Sequence, residues 1–102
     1  MNSIFGNKIR TIREEKNLFL RQVASILGMD TAQLSKIERG ERLAKKEIVL
    51  KISKILKVSY DELLTLWLAD KIYEVVKYEK NALKAICMAE EQVEYNKNQK
   101  HQ

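Results

Sequence analysis

A chain of 102 residues has room for one domain or slightly more, since single cores are built from about 100 to 150 residues, and size alone excludes a multidomain enzyme. It is 45% hydrophobic and 32% charged, with no Pro and three Gly; that is enough apolar material for a core and too few turn formers for a sheet-rich fold, so the expected class is all-α. Lys and Arg number 19 against 14 Asp and Glu, a net charge of +5, which suits an acidic partner such as nucleic acid without specifying one.

Cys87 stands alone, so no internal disulfide is available, and within ALKAICMAE it reads as a small core hydrophobe. No apolar run approaches the roughly 20 residues that span a bilayer. The opening MNSIFGNKIR lacks the apolar centre of a signal peptide. The expectation is a cytoplasmic protein with no membrane partner.

In chain order, Phe5, Ile9 and Ile12 recur at i, i+4, i+7 among charged residues, which predicts an amphipathic helix over 4–16 capped by Asn2 or Ser3. Leu20, Val23, Ala24 and Leu27 form a second apolar face ending at Gly28, the residue suited to the left-handed position past a helix. Asp30 stands at the cap position ahead of TAQLSKIER, a short polar helix with Leu34 and Ile37 inward and Gly40 as its stop. After the loop ERLA, KKEIVLKISKILKV places Ile48, Ile52, Ile55 and Leu56 on one face and Lys51, Lys54 and Lys57 on the other. Ser59 or Asp61 caps the next helix, Ser59 and Glu62 fitting a capping box. From there Leu64, Leu68, Ile72, Val75, Val76, Ala82, Leu83, Ile86, Ala89 and Val93 keep a helical period, predicting one long helix or two bent at Asn81. Residues 96–102, NKNQKHQ, are polar and aperiodic and are expected to be disordered; His101 among them has no metal-ligand companions.

Two short helices joined by a tight turn with a Gly make the helix-turn-helix arrangement, in which the first helix braces the second and the second enters the major groove. Residues 20–37 meet its steric demands: Ala24 is small where the helices approach, Gly28 supplies the turn, and Val23, Leu27, Leu34 and Ile37 fill the seam. An ordinary helical hairpin with a Gly turn fits the same spacing. The run KNLFLRQVASILGMDTAQLSKIERGER, followed by VLKISKILKVSYDELL, resembles the XRE family of helix-turn-helix regulators, which includes the phage repressors and Cro proteins. The resemblance covers roughly residues 5–66, and LSKIERGER is its most specific piece. It implies a five-helix, lambda-repressor-like DNA-binding bundle whose third helix reads DNA, as a homodimer on a palindromic operator.

On that resemblance, Thr31, Ala32 and Lys36 match positions at which family members reach base edges, while Gln33 and Ser35 match flanking positions that touch bases or phosphates; Gln33 is assigned to bases and Ser35 to phosphate. Chemistry permits these roles. Lys36 can donate to guanine O6 or N7, Gln33 can pair with adenine, and the methyls of Thr31 and Ala32 can pack on the thymine methyl. Thr31 also reads as a plain helix-start residue and Ala32 as a plain helix former. Arg13 and Glu38 match a buried structural ion pair, and Arg39, Arg42, Lys45 and Lys46 match the phosphate-contacting loop, with a merely solvated basic loop as the alternative. Family members often start the second helix with Ser or Thr followed by a phosphate-touching Gln. Here Phe19 and Leu20 occupy those places, so that contact does not carry over; Arg21 or the amides of the helix start are its substitutes, and Phe19 and Leu20 read as core or partner contacts.

Residues 67–102 hold six Lys and six acidic residues, so the whole charge excess lies upstream. The expected division is a helix-turn-helix domain over 1–66, a helical extension over 67–95 and the tail. Trp67, Leu68, Ile72, Val76, Leu83 and Ile86 are expected at a dimer interface, where C2 pairing matches a palindrome; folding back on the same domain is the alternative. The expected function is a dimeric, sequence-specific transcriptional regulator, DELLTLWLADKIYEV weakly resembling the controllers of restriction-modification systems. The rivals are an antitoxin or a protein-interaction adaptor whose C-terminal helices bind a partner protein. No enzyme, cofactor or metal is expected: the sequence has no metal-ligand cluster and no phosphate-binding Gly loop, and adjacent Asp61 and Glu62 cannot face each other across a substrate. Double-stranded DNA and a second copy of the chain are the expected partners.

Overall fold

In the computed structural model, which describes residues 3–100, every element is helical. Contacts divide the chain into two units, Met1–Ile72 and Tyr73–Gln102. The first holds α1 (Ile4–Glu15), α2 (Leu20–Leu27), α3 (Thr31–Glu38), α4 (Lys46–Leu56) and most of α5 (Tyr60–Val76); the second holds the end of α5 and α6 (Ala82–Lys100).

Local chemistry sets the helix ends. Ser3 Oγ accepts the Gly6 amide at 2.6 Å, Asp30 Oδ1 accepts the Gln33 amide at 2.7 Å, and Ser59 Oγ accepts the Glu62 amide at 3.2 Å. Each satisfies a donor that a first turn leaves without a partner. The four helices α1 to α4 all end alike: the amides of Leu18, Met29, Glu41 and Val58 donate back to the carbonyls of Arg13, Ala24, Lys36 and Ser53. The chain reverses at left-handed Asn17, Gly28, Gly40 and Lys57, the geometry that captures the last carbonyls of a helix. Gly has no Cβ to resist this conformation and Asn tolerates it, whereas Lys57 is held there by the packing on either side.

The core joins Phe5, Ile9 and Ile12 of α1 to Val23, Ala24 and Leu27 of α2, Leu34 and Ile37 of α3, Val49, Ile52 and Leu56 of α4, and Leu63 and Trp67 of α5. Both α1 and α2 pack on α3 and α4. On α4 the inward face is rotated from expectation: Val49 and Ser53 are buried, while Ile48 and Ile55 are half-buried.

The larger correction is on α5. Its buried residues are Leu63, Trp67 and Asp70, at i, i+4, i+7, whereas Leu64 is half-buried and Leu68 and Ile72 are exposed. Apolar residues run nearly all round this helix, so two faces compete. The inward one carries polar groups that find partners across the bundle. Trp67, expected at a dimer surface, therefore lies in the core with its Nε1–H donating to the Ala44 carbonyl at 2.8 Å. Contacts group residues up to Ile72 with the first unit.

A turn at 77–81 separates α5 from α6, so the extension is two helices, with Lys77 Nζ 2.9 Å from Glu74 across the last turn of α5. Residues 96–100, expected to be disordered, continue α6; His101 and Gln102 lie outside the described residues. Leu83, Ile86, Met88, Val93 and Tyr95 are exposed. Cys87, expected in a core, is exposed as well, because α6 buries no face. Among the described residues, no helix is long and apolar enough to cross a membrane.

Candidate nucleic-acid interface

The helix α3 is two-faced. Leu34, Ile37 and Glu38 are buried, and the opposite side presents exposed Thr31, Ala32 and Lys36 with half-buried Ser35 between them. The spacing i, i+1, i+4, i+5 puts these four on one surface. Gln33, on the flank, is half-buried, and its Oε1 accepts the Asp30 amide at 3.3 Å. That side chain is tied to its own cap.

Three contacts fix α3 against the bundle. Arg13 Nε donates to Glu38 Oε2 at 2.8 Å and Nη2 to Oε1 at 3.0 Å, while Nη1 donates to the Leu18 carbonyl at 2.8 Å. The fork of the guanidinium is thus matched edge to edge by the carboxylate. The hydrogen bond to Glu38, and then the negative charges of Glu38 and Glu14, raise the Arg13 pKa above its ordinary value despite partial burial. The second contact is at Gly6, where a Cβ would collide with the Ile37 carbonyl oxygen and stand 2.6 Å from that of Glu38. Only a residue without a side chain lets the backbone of α1 come this close to the end of α3. The third is at Gly40, where a Cβ would stand 2.6 Å from the Ser3 amide nitrogen.

The start of α1 is itself held from α5. Buried Asp70 accepts the amides of Ile4 and Phe5 at 3.1 and 3.0 Å and the Ser3 hydroxyl at 2.5 Å. A carboxylate against a helix N-terminus also meets the positive end of the helix dipole. Gly6, Asp70 and the indole of Trp67 are supporting residues that the periodicity of the sequence does not single out. The available signal for Asp70 was one acid at i+3 from Trp67 and i+7 from Leu63, on a helix otherwise rich in apolar residues.

The basic residues flank this face. Arg42, Lys45 and Lys46 are exposed on the loop after α3 and at the start of α4. Arg39 is exposed but engaged, since its Nε donates to Glu41 and its Nη1 to Ser35 Oγ at 3.0 Å. At the start of α2, Arg21 is exposed with its guanidinium 4.8 Å from the centroid of the Phe19 ring. Of the two apolar residues there, Leu20 packs against the core and Phe19 is exposed. The Phe19 amide donates to Gln22 Oε1 at 2.6 Å, half of a capping box, while the Gln22 amide donates to the Phe19 carbonyl because the Phe19 side chain offers no acceptor. Chemically, the arrangement is a short helix with a small polar face, rigidly backed and bordered by free cations, which suits a duplex groove edged by phosphates.

Comparison with known proteins agrees with this geometry. A helix-turn-helix family model matches residues 9–63. The HTH-type transcriptional repressor RghR of Bacillus subtilis is 36% identical over 61 residues, 59% of this chain and 45% of that protein. The chain thus spans about half the length of that relative. The uncharacterised HTH-type transcriptional regulator YazB of the same organism is 37% identical over 60 residues, 87% of its length. Among solved structures, the clp gene regulator ClgR of C. glutamicum is similar in fold, with a TM-score of 0.58 at 24% identity over 66% of this chain and 87% of that one. A chain from the SinR protein/SinI protein complex is similar over 97% of this chain and 100% of that one, at a TM-score of 0.55 and 28% identity.

Proposed function

The chain belongs to the helix-turn-helix family, and from that premise we propose that it is a DNA-binding transcriptional regulator that lays α3 in the major groove. The observation that carries this is the outward face of α3, with Thr31, Ala32 and Lys36 exposed while Arg13 and Glu38 lock its inner side. Thr31, Ala32, Gln33 and Lys36 read base edges. Arg42, Lys45 and Lys46 neutralise phosphates after α3, with Arg21 doing so before it. Ser35 and Arg39 hold each other in the free protein and turn to the backbone together. Arg39 leaves Glu41 in that step, so its contribution is smaller than that of a free cation.

In this reading the protein acts in the cytoplasm as a homodimer on a palindromic operator, its two copies of α3 about one helical turn apart on the duplex. Exposed Leu68, Ile72, Leu83 and Ile86, with half-buried Val76, support pairing through the extension, since large apolar side chains favour a cover. Control of a restriction-modification system is one use of such a dimer. A second reading has the extension bind a different protein, as an adaptor or antitoxin does. It is favoured by the exposed apolar residues of α6 and by the likeness to a chain taken from a two-protein complex.

Selection of bound sequences from random duplex DNA, followed by titration over a range of salt, tests the proposal. Enrichment of a palindrome is the expected result. No enrichment, with affinity no better than about 10⁻⁴ to 10⁻⁶ M, would reject it in favour of the adaptor.

A further inference from the structure

We propose that Trp67 and Asp70, one turn apart on α5, are positioning residues for the loop that leaves α3, fixing both of its ends and so the places from which Arg42, Lys45 and Lys46 reach phosphate. The proposal rests on the DNA-binding reading above. At the far end, Trp67 Nε1–H donates at 2.8 Å to the carbonyl of Ala44, and both residues are 5% exposed. Ala44 immediately precedes Lys45 and Lys46 and follows Arg42 by two residues. Fixing its peptide plane fixes where three cations leave the backbone. At the near end, Asp70 holds the Ser3 hydroxyl at 2.5 Å and the Ile4 and Phe5 amides at 3.1 and 3.0 Å. Ser3 is in turn the surface on which the Gly40 turn rests, with room for no Cβ between them.

The pairing of Arg13 with Glu38 and the close approach at Gly6, which hold the base-reading face, do not involve the Trp67 indole, so loss of that donor acts on the loop and leaves the face in place. A cation on an ordered loop meets its phosphate without first losing backbone freedom, whereas one on a loose loop must be ordered on binding. Loosening the clamp therefore weakens binding to every sequence alike and leaves base preference intact. Where the ordering cost exceeds what a phosphate contact returns, that contact is no longer made in the complex, and the salt dependence falls as well.

The variant Trp67→Phe tests this, because it keeps an aromatic ring at the position, though a smaller one than the indole, and removes the donor. Expected are a folded protein, a roughly tenfold loss of affinity for all duplexes, a salt slope lower by about 1, an unchanged selected sequence, and faster amide exchange over residues 41–45 than in wild type. A folded Trp67→Phe protein with wild-type affinity, slope and loop exchange would overturn the clamp. Lys45→Ala run in parallel separates the two claims. If it flattens the slope and Trp67→Phe does not, the clamp fails and the phosphate role of the loop stands. If Lys45→Ala itself leaves the slope unchanged, the underlying reading of the loop fails. Wild-type protein gives a check independent of folding, since Trp67 is the only Trp and its indole N–H is a single resolvable proton. DNA should slow exchange of that proton; protection of α3 amides by DNA with no change at the indole would count against the coupling.

Discussion

Arg13 and Glu38 illustrate how the proposed DNA-reading surface of α3 is fixed from behind by two side chains that do not face outward. Their side chains are 12% and 6% exposed, so neither charge has water to fall back on. Arg13→Ala is expected to cost about 3–5 kcal/mol, because Glu38 is left buried and uncompensated, whereas a solvent-exposed pair would cost about 0–1. Urea denaturation measures it, and a curve superimposable on wild type would reject a structural role. The raised pKa of Arg13 fixes the pH dependence. A cation whose folded-state pKa is raised contributes fully below its ordinary value and loses that contribution only as pH climbs through the raised one. The gap between wild type and Arg13→Ala should therefore stay constant from neutral to mildly alkaline buffer. Gly6 acts by absence. A methyl there meets the carbonyls of Ile37 and Glu38, and since backbone yields less readily than a side-chain tip, Gly6→Ala should cost about 1–3 kcal/mol or more. A wild-type melting temperature for Gly6→Ala would mean that α1 shifts freely along α3.

Within elements, the outward face of α3 and the loop after it divide the labour in the proposed reading. Lys36→Ala should change which bases are preferred in a selection experiment, whereas Lys45→Ala should weaken all sequences alike and flatten the salt slope by about 1. Identical behaviour of the two variants would mean that the sorting into base and phosphate contacts is wrong. On α5, Asp70 serves α1 as a cap supplied from more than sixty residues away. Asp70→Ala removes the acceptor for two amides and a hydroxyl, and a loss of about 2 kcal/mol is expected, near the upper end for a cap. Faster amide exchange in the first turn of α1 and at the Gly40 turn would accompany it; uniform exchange across the bundle would argue that Asp70 does not act locally.

At the scale of the whole molecule, the apolar side chains divide into those the first unit buries and those the extension exposes. Leu83 and Ile86 are 80% and 37% exposed, so charged substitutions there meet little packing. Leu83→Glu with Ile86→Glu should shift sedimentation from dimer to monomer and weaken binding to a palindrome while leaving the melting of the first unit unchanged. A double variant that sediments as wild type would remove these two residues from the proposed dimer interface and leave Leu68, Ile72 and Val76 as its remaining candidates.

Local signals in the chain are enough to place the starts of α1, α3 and α5, the ends of α2 and α3, and the inward residues of α1, α2 and α3. Those features are written in neighbours: Ser3, Asp30 and Ser59 cap amides three residues on, and Gly28 and Gly40 turn left-handed after the last apolar position. The outward positions of Thr31, Ala32 and Lys36 follow from the same local rule, because burying Leu34 and Ile37 leaves them no other side. Only the tertiary structure decided which face of α5 the bundle takes, how far the first unit extends, and what Gly6, Trp67 and Asp70 do. A helix apolar nearly all round carries no periodicity strong enough to choose a face. The choice falls to partners distant in the chain: an indole N–H that meets a carbonyl 23 residues away, and a carboxylate that meets amides 65 and 66 residues away. Burying such polar groups is tolerable only where those partners wait for them, and that pairing exists only once the chain has closed on itself.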